Sequence, residues 1–169
     1  VDVVHPNEVV NQACAIAHNH IRHRARLVKE LSALDAFPGD KNKLVQVVTN
    51  LLVNAVQALP EGADDATVLV RTRNEGGKVL ISVIDNGTGI PPDALGRIFE
   101  PFYTTKGDAD GTGLGLALSL DIARQHGGSL EVETSVGEGT RFDLVLPLDN
   151  GLVVERSPVR PRTQDIVQR

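Results

Sequence analysis

Tryptophan and methionine are missing altogether from the 169 residues, and tyrosine and cysteine occur once each. With four Phe as the only other aromatic residues, few rings are available to stack on bases, which argues against a nucleic-acid partner. The core must therefore be assembled from Val, Leu, Ile and Ala. One cysteine permits neither an internal disulfide nor a cysteine-based zinc site. Cys14, set between Ala13 and Ala15, reads as a small buried thiol in a reducing compartment. An excess of positive charge is lacking too. The formal net charge is −5, whereas binding to a phosphate backbone calls for a basic face. No apolar run approaches the roughly 18 residues of a membrane span, and the start has neither a basic n-region nor an apolar h-region. The chain is expected in the cytoplasm with no direct membrane insertion, even if a longer parent is membrane-anchored. What is present, 41% hydrophobic and 23% charged residues, suits one globular domain with a real core.

Apolar positions Val9, Val10, Ala13, Ile16, Ala17 and Ile21 recur at three and four, which predicts a helix over 6–21 with Asn7 as its N-cap. His18, His20 and His23 crowd its end, where they suit a helix C-terminus; the carboxylates that would complete a metal site are not nearby. Residues 25–31 read as a short edge strand. Asp40 is a natural N-cap for a second, longer helix whose buried face is Leu44, Val47, Val48, Leu51, Leu52, Ala55 and Leu59. Lys43, Gln46, Asn50, Asn54 and Gln57 form a polar stripe on the same helix, facing a site. Two β-rich runs, 67–73 and 79–84, make a hairpin joined by 74–77. Its second strand runs into Asp85-Asn-Gly-Thr-Gly-Ile90. Residues 93–98 give a turn or two of helix, and the apolar residues of 99–102 are expected to dock on the core. Residues 103–113 have the composition of a mobile loop. A helix over 114–125 ends on a glycine cap after His126, and a second hairpin follows over 129–134 and 140–147. The segment 150–169 reads as a tail or linker beyond a domain spanning 1–149. The order of elements predicts an α+β, two-layer α/β sandwich with a mixed, mostly antiparallel sheet covered on one face by helices.

Three features carry chemistry. Asn50 and Asn54 lie one helical turn apart and face the same way. Amide oxygens are hard, neutral ligands that suit Mg²⁺ when phosphates supply the charge. Asp85 ends a strand beside Gly87 and Gly89, which let a flat ring approach while the carboxylate accepts an exocyclic amine; an adenine fits. A calcium turn would show more acids at alternating positions. Gly111-Thr-Gly-Leu-Gly115 is neither a dinucleotide fingerprint, having no preceding strand and no ribose-binding acid, nor a Walker loop, having no Gly-Lys-Ser/Thr. It is a glycine-rich lead into a helix, which leaves N–H groups free to hold phosphate oxygens or simply starts the helix.

In order and spacing, Asn50-Leu-Leu-Val-Asn54-Ala55, Asp85-Asn-Gly-Thr-Gly-Ile90, Phe99-Glu-Pro-Phe-Tyr-Thr-Thr-Lys106 and Gly111-Thr-Gly-Leu-Gly-Leu-Ala117 resemble the N, G1, F and G2 boxes of sensor histidine kinases. The likeness runs from Pro6 to Pro147 and is greatest to the nitrogen-regulation and dicarboxylate branch. It implies the Bergerat ATP-binding fold shared with type II topoisomerases, heat-shock chaperones and mismatch-repair ATPases. It also implies ATP and Mg²⁺ as ligands, with transfer of the γ-phosphoryl group to a histidine. By the same resemblance Asn54 is the Mg²⁺ ligand and Asn50 neighbours the phosphates. Asp85 takes the adenine amine with a water that Thr140 shares, and Gly87, Gly89 and Ile90 shape the base pocket. Tyr103, Thr105, Gly111, Thr112, Gly113, Leu114, Gly115 and Leu116 belong to the ATP lid, and Lys106 and Arg97 are candidate phosphate contacts. Gln57 stands where many members place a basic residue. None of His5, His18, His20, His23 or His126 has the context of an acceptor histidine. The implied partners are thus an upstream dimerisation hairpin carrying the acceptor and a response-regulator receiver domain, with the isolated domain a monomer and the full-length protein a homodimer. A clamp-type ATPase of the same fold would carry a glutamate at position 50 to activate water. An anti-sigma-type serine kinase departs from Phe-Tyr-Thr-Thr-Lys, and a pseudo-kinase would have lost some of its boxes.

Overall fold

The computed structural model describes residues 1–103 and 115–152. Helix α1 (Pro6–Ile21) buries Val9, Val10, Ala13, Cys14, Ala17 and Ile21, one apolar stripe at helical spacing. It opens on Pro6, with His5 as an N-cap that makes no side-chain bond. The expected cap, Asn7, instead lies inside the first turn. Its Nδ2 donates to the Ser32 carbonyl at 2.7 Å and its Oδ1 accepts from Thr72 Oγ1 at 2.9 Å. Thr72 is fully buried, so satisfying that hydroxyl outweighs capping, and Asn7 ties α1 to the sheet.

Helix α2 (Lys41–Gln57) begins as its sequence predicts, with Asp40 Oδ1 accepting the Lys43 N–H at 3.2 Å. Leu44, Val47, Val48, Leu51, Leu52 and Ala55 are buried, whereas Asn50 and Asn54 are half-buried. A short pair not anticipated from the sequence precedes it: β1 (Asp2–Val4) runs antiparallel to β3 (Phe37–Gly39).

The main sheet has the order β2 (Arg26–Glu30), β4 (Thr67–Glu75), β5 (Lys78–Asp85), β7 (Gly139–Pro147), β6 (Ser129–Ser135). Strands β2 and β4 are parallel and the other pairs antiparallel. The parallel pair requires a long crossover, and α2 lies within it. The β4–β5 turn is two residues, Gly76 and Gly77, with φ of +57° and +77°, values that suit glycine and match the twist of a hairpin. Helix α3 (Pro92–Leu95) is one turn, and helix α4 (Gly115–Gln125) packs beside α2. It closes in a glycine cap: Gly128 N–H bonds the Ala123 carbonyl and Gly127 N–H that of Arg124, both at 2.9 Å.

One sheet face, carrying Val68, Val70, Ile81, Val83, Phe142 and Leu144, meets the helices and forms the core with them. His126 binds two elements of the helical layer. It is 3% exposed; its Nε2 accepts the Asp40 N–H at 3.0 Å, which leaves Nδ1 to donate to the Ile122 carbonyl at 2.8 Å. The expected docking of 99–102 holds for Phe99, which packs on the core. Phe102, at φ +68°, is 74% exposed, because that backbone conformation turns its ring outward. No described helix is long and apolar enough to cross a membrane.

Candidate functional site

Along α2 the polar stripe leads to the glycine turn. One turn beyond Asn54 lies Ala58, whose N–H bonds the Asn54 carbonyl and whose own carbonyl accepts the Thr88 N–H, each at 3.1 Å. A Cβ on Gly87 would sit 2.3 Å from that Ala58 oxygen, so only glycine lets the 85–90 turn lie against the end of α2. At the other end of the stripe, a Cβ on Gly115 would lie 3.8 Å from the Asn50 carboxamide and meet nothing closer among the described residues. Gly115, where the described part of α4 begins, thus lies near Asn50, and along α2 the stripe continues through Asn54 to the Ala58 carbonyl and the 85–90 turn.

The floor of the site is set by strand register. Asp85 pairs with Thr140, and Thr140 with Thr134. All three project from the helix-facing side, two residues along from Val83 and Phe142. Asp85 is 6% exposed, and its Oδ1 accepts the Gly87 N–H at 2.8 Å, which orients the carboxylate within the turn. Gly89, at φ +75°, passes close to the Ser135 carbonyl, where a Cβ would sit at 2.3 Å. The Gly137 N–H reaches the Thr88 carbonyl at 2.9 Å, so the 85–90 turn is pinned between the end of α2 and the β6–β7 turn. Asn86 fixes its other side, accepting the Thr67 N–H at 2.9 Å and donating to the Asp65 carbonyl at 2.7 Å.

Of the residues expected in the site, Gly115 lies near Asn50; Asn54 and Gly87 meet at Ala58; Asp85 pairs with Thr140; and Gly89 and Ile90 reach Ser135 and Thr134. Leu116 and Tyr103 pack on the core. Arg97 pairs with Glu100 at 3.1 Å and lies 4.5 Å over the Tyr103 ring, so its charge is already engaged at an exposed position. Thr105, Lys106, Gly111, Thr112, Gly113 and Leu114 lie outside the described residues. Thr134, Asn86 and the Ala58 carbonyl were not foreseen. Thr134 reads as an ordinary strand residue, and a main-chain oxygen leaves no sequence signal. Among the described residues no group of three His, Cys, Asp or Glu gathers to hold a metal.

Residues 39–150 match the family model described as histidine kinase-, DNA gyrase B- and HSP90-like ATPase. The chain is 37% identical over 162 residues to sensor histidine kinase ZraS of Escherichia coli O157:H7, covering 88% of this chain and 34% of that protein. The chain thus spans about a third of the length of the curated relatives it matches. A nucleotide-free catalytic domain of histidine kinase ThkA superposes with a TM-score of 0.74 at 28% identity, over 88% of this chain and 99% of that one. Full-length ShkA in complex with AMPPNP gives 0.73 at 28% identity, over 86% of this chain and 31% of that one. From these likenesses, and from the ordered asparagine helix and glycine turn on the sheet floor, the chain belongs to the histidine kinase-, DNA gyrase B- and HSP90-like ATPase family, on its sensor histidine kinase side.

Proposed function

We propose that this chain is the catalytic, ATP- and Mg²⁺-binding domain of a cytoplasmic-facing sensor histidine kinase, moving the γ-phosphoryl group of ATP to a histidine on a separate dimerisation hairpin. The observation that carries the reading is the buried Asp85 carboxylate in a glycine turn packed on the end of α2, the helix that carries Asn54 and Asn50, with Gly115 of α4 near Asn50. The AMPPNP held by the similar ShkA chain supports it. Asp85 accepts the amine of adenine, with Thr140 beside it, and Gly87, Gly89 and Ile90 bound the ring. Asn54 offers an amide oxygen to the metal, Asn50 orients the phosphate oxygens, and N–H groups at the start of α4 receive them. Mg²⁺ supplies charge neutralisation and Lewis acidity at the phosphates when bound. Arg97 and Lys106 are the candidate cations for the phosphate end, and Thr105, Gly111, Thr112, Gly113 and Leu114 belong with Tyr103, Gly115 and Leu116 to the lid. Catalysis is positioning and charge stabilisation rather than proton abstraction, since residue 50 is an amide and cannot act as a base.

Calorimetry with AMPPNP and Mg²⁺ is expected to give one binding event per chain, and the absence of binding heat overturns the reading. Supplying a dimerisation hairpin in trans with labelled ATP should yield acid-labile, base-stable phosphate on the hairpin. An acid-stable product would instead favour a serine kinase. Beyond the hairpin, the partner implied for the whole protein is a receiver domain that takes the phosphoryl group onward.

A further inference from the structure

Strand β3 is held along both edges. On one it pairs antiparallel with β1, from Asp2↔Gly39 to Val4↔Phe37. Pro38 and Asp40 stand two apart, so their main-chain groups share the other edge, and side chains fill it. Asn150 Nδ2 donates to the Pro38 carbonyl at 2.7 Å, and His126 Nε2 accepts the Asp40 N–H at 3.0 Å. Between them, a Cβ on Gly39 would sit 3.0 Å from His126 Cδ2 and 3.2 Å from Val4 Cγ2, so the imidazole and the buried Val4 side chain crowd the same bare stretch of backbone. His126 follows the last residue of α4, whose Gly115 lies near Asn50, and Asp40 caps α2, the helix that carries Asn50 and Asn54. The imidazole therefore ties the end of α4 to the start of α2. We propose that His126 is a positioning residue for the phosphate site, and that its hold on α4 is coupled through β3 to the seating of β1. Phosphates received at the start of α4 draw that helix onto α2; the imidazole is then held against Asp40, and β3 is fixed as a template for β1. Displacing β1 loosens the same contacts in reverse. With three residues a side, the β1–β3 pair is short enough to open by itself, which gives the coupling its range of motion. His126 acts through the Asp40 N–H and the packing of α4.

This inference rests on the adenine-nucleotide reading above, and the test separates the two. Coupling is reciprocal, so a nucleotide helped by a seated β1 must protect β1 in turn. Amide hydrogen exchange is followed on the whole chain with and without AMPPNP and Mg²⁺, at a saturation set by calorimetry. The Val4 and Phe37 amides are expected to exchange about fivefold more slowly with nucleotide, while those of β2, an edge strand of the main sheet, keep their local rates. His126→Phe keeps a ring beside Gly39 but removes both imidazole bonds, and nucleotide should then leave Val4 and Phe37 unchanged. If that variant lacks the wild-type circular dichroism, Asn150→Ala, which frees the Pro38 carbonyl, is held to the same criterion. A purely structural His126 would leave β1 exchange indifferent to nucleotide in the wild type, or would slow β1 and β2 alike through global stability. Either result overturns the proposal, as does protection of β1 that persists in the variant. A wild-type chain that shows no binding heat would instead refute the adenine-nucleotide reading itself.

Discussion

At the scale of single residues, the site depends on groups whose neighbours leave them one role. Asp85 Oδ1 is committed to the Gly87 N–H, so in Asp85→Asn the amide oxygen takes that bond and the NH₂ turns toward the adenine amine. Donor then faces donor, and ATP affinity should fall at least about tenfold by calorimetry; an unchanged affinity would remove Asp85 from the base pocket. Asn50 is the converse case, an amide beside the start of α4 where a carboxylate could activate water. Asn50→Glu is expected to raise the slow ATP hydrolysis of the isolated chain, and a phosphate-release assay that shows no gain would mean something else withholds water. Away from the site, burial pushes the Cys14 thiol upward, with Lys29 offsetting part of the shift. A group whose pKa is raised by folding stabilises the native state below its unfolded value and loses that contribution as pH climbs past it. Wild type should therefore lose stability relative to Cys14→Ala above about pH 8.5, by up to ~1.4 kcal/mol per pH unit, in urea titrations at stepped pH. Parallel curves for the two proteins would contradict this.

At the scale of elements, periodicity carries as far as local order reaches. The two long helices, the glycine cap after His126 and both hairpins were legible because each is written in its own stretch of chain. The β1–β3 pair was not. Three residues a side, one of them Pro38, give neither alternation nor length. Asn7 was misread for a related reason: an asparagine at a helix start looks like a cap, and the buried Thr72 hydroxyl that claims it is 65 residues away. Phe102 looked like core until its left-handed backbone turned it out. In the site, Asn50, Asn54 and Asp85 stood out as polar groups in apolar company, whereas Thr134 is defined only by partners at 90, 139 and 140. Two couplings between elements can be tested. Asp40→Ala should cost about 1 kcal/mol through the lost cap of α2. His126→Phe keeps the ring but strands the Asp40 N–H and the Ile122 carbonyl, and should cost about 2 kcal/mol or more. Urea midpoints check both, and a His126→Phe midpoint no lower than that of Asp40→Ala would show that the imidazole bonds add little.

At the scale of the whole molecule, a ligand that bridges α2, α4, the 85–90 turn and the sheet should stabilise all of them together. ATP with Mg²⁺ at a hundred times its dissociation constant is expected to add about 2.7 kcal/mol to unfolding, read as an upward shift in Tm. Chelating the metal should remove most of that shift, and an equal shift without Mg²⁺ would detach Asn54 from metal binding. The pinning of the glycine turn between α2 and the β6–β7 turn adds a constraint on how this fold can vary. Asp85, Thr140 and Thr134 share a face only because they hold the same odd or even place in the pleat. Slipping β5 by one residue would swap the carboxylate for Ile84 and bury an apolar side chain in the proposed base pocket, with every core residue of that strand turned outward as well. The chemistry of the pocket and the burial of the core are thus one counting problem. Length changes within β5 would be tolerated in pairs or not at all.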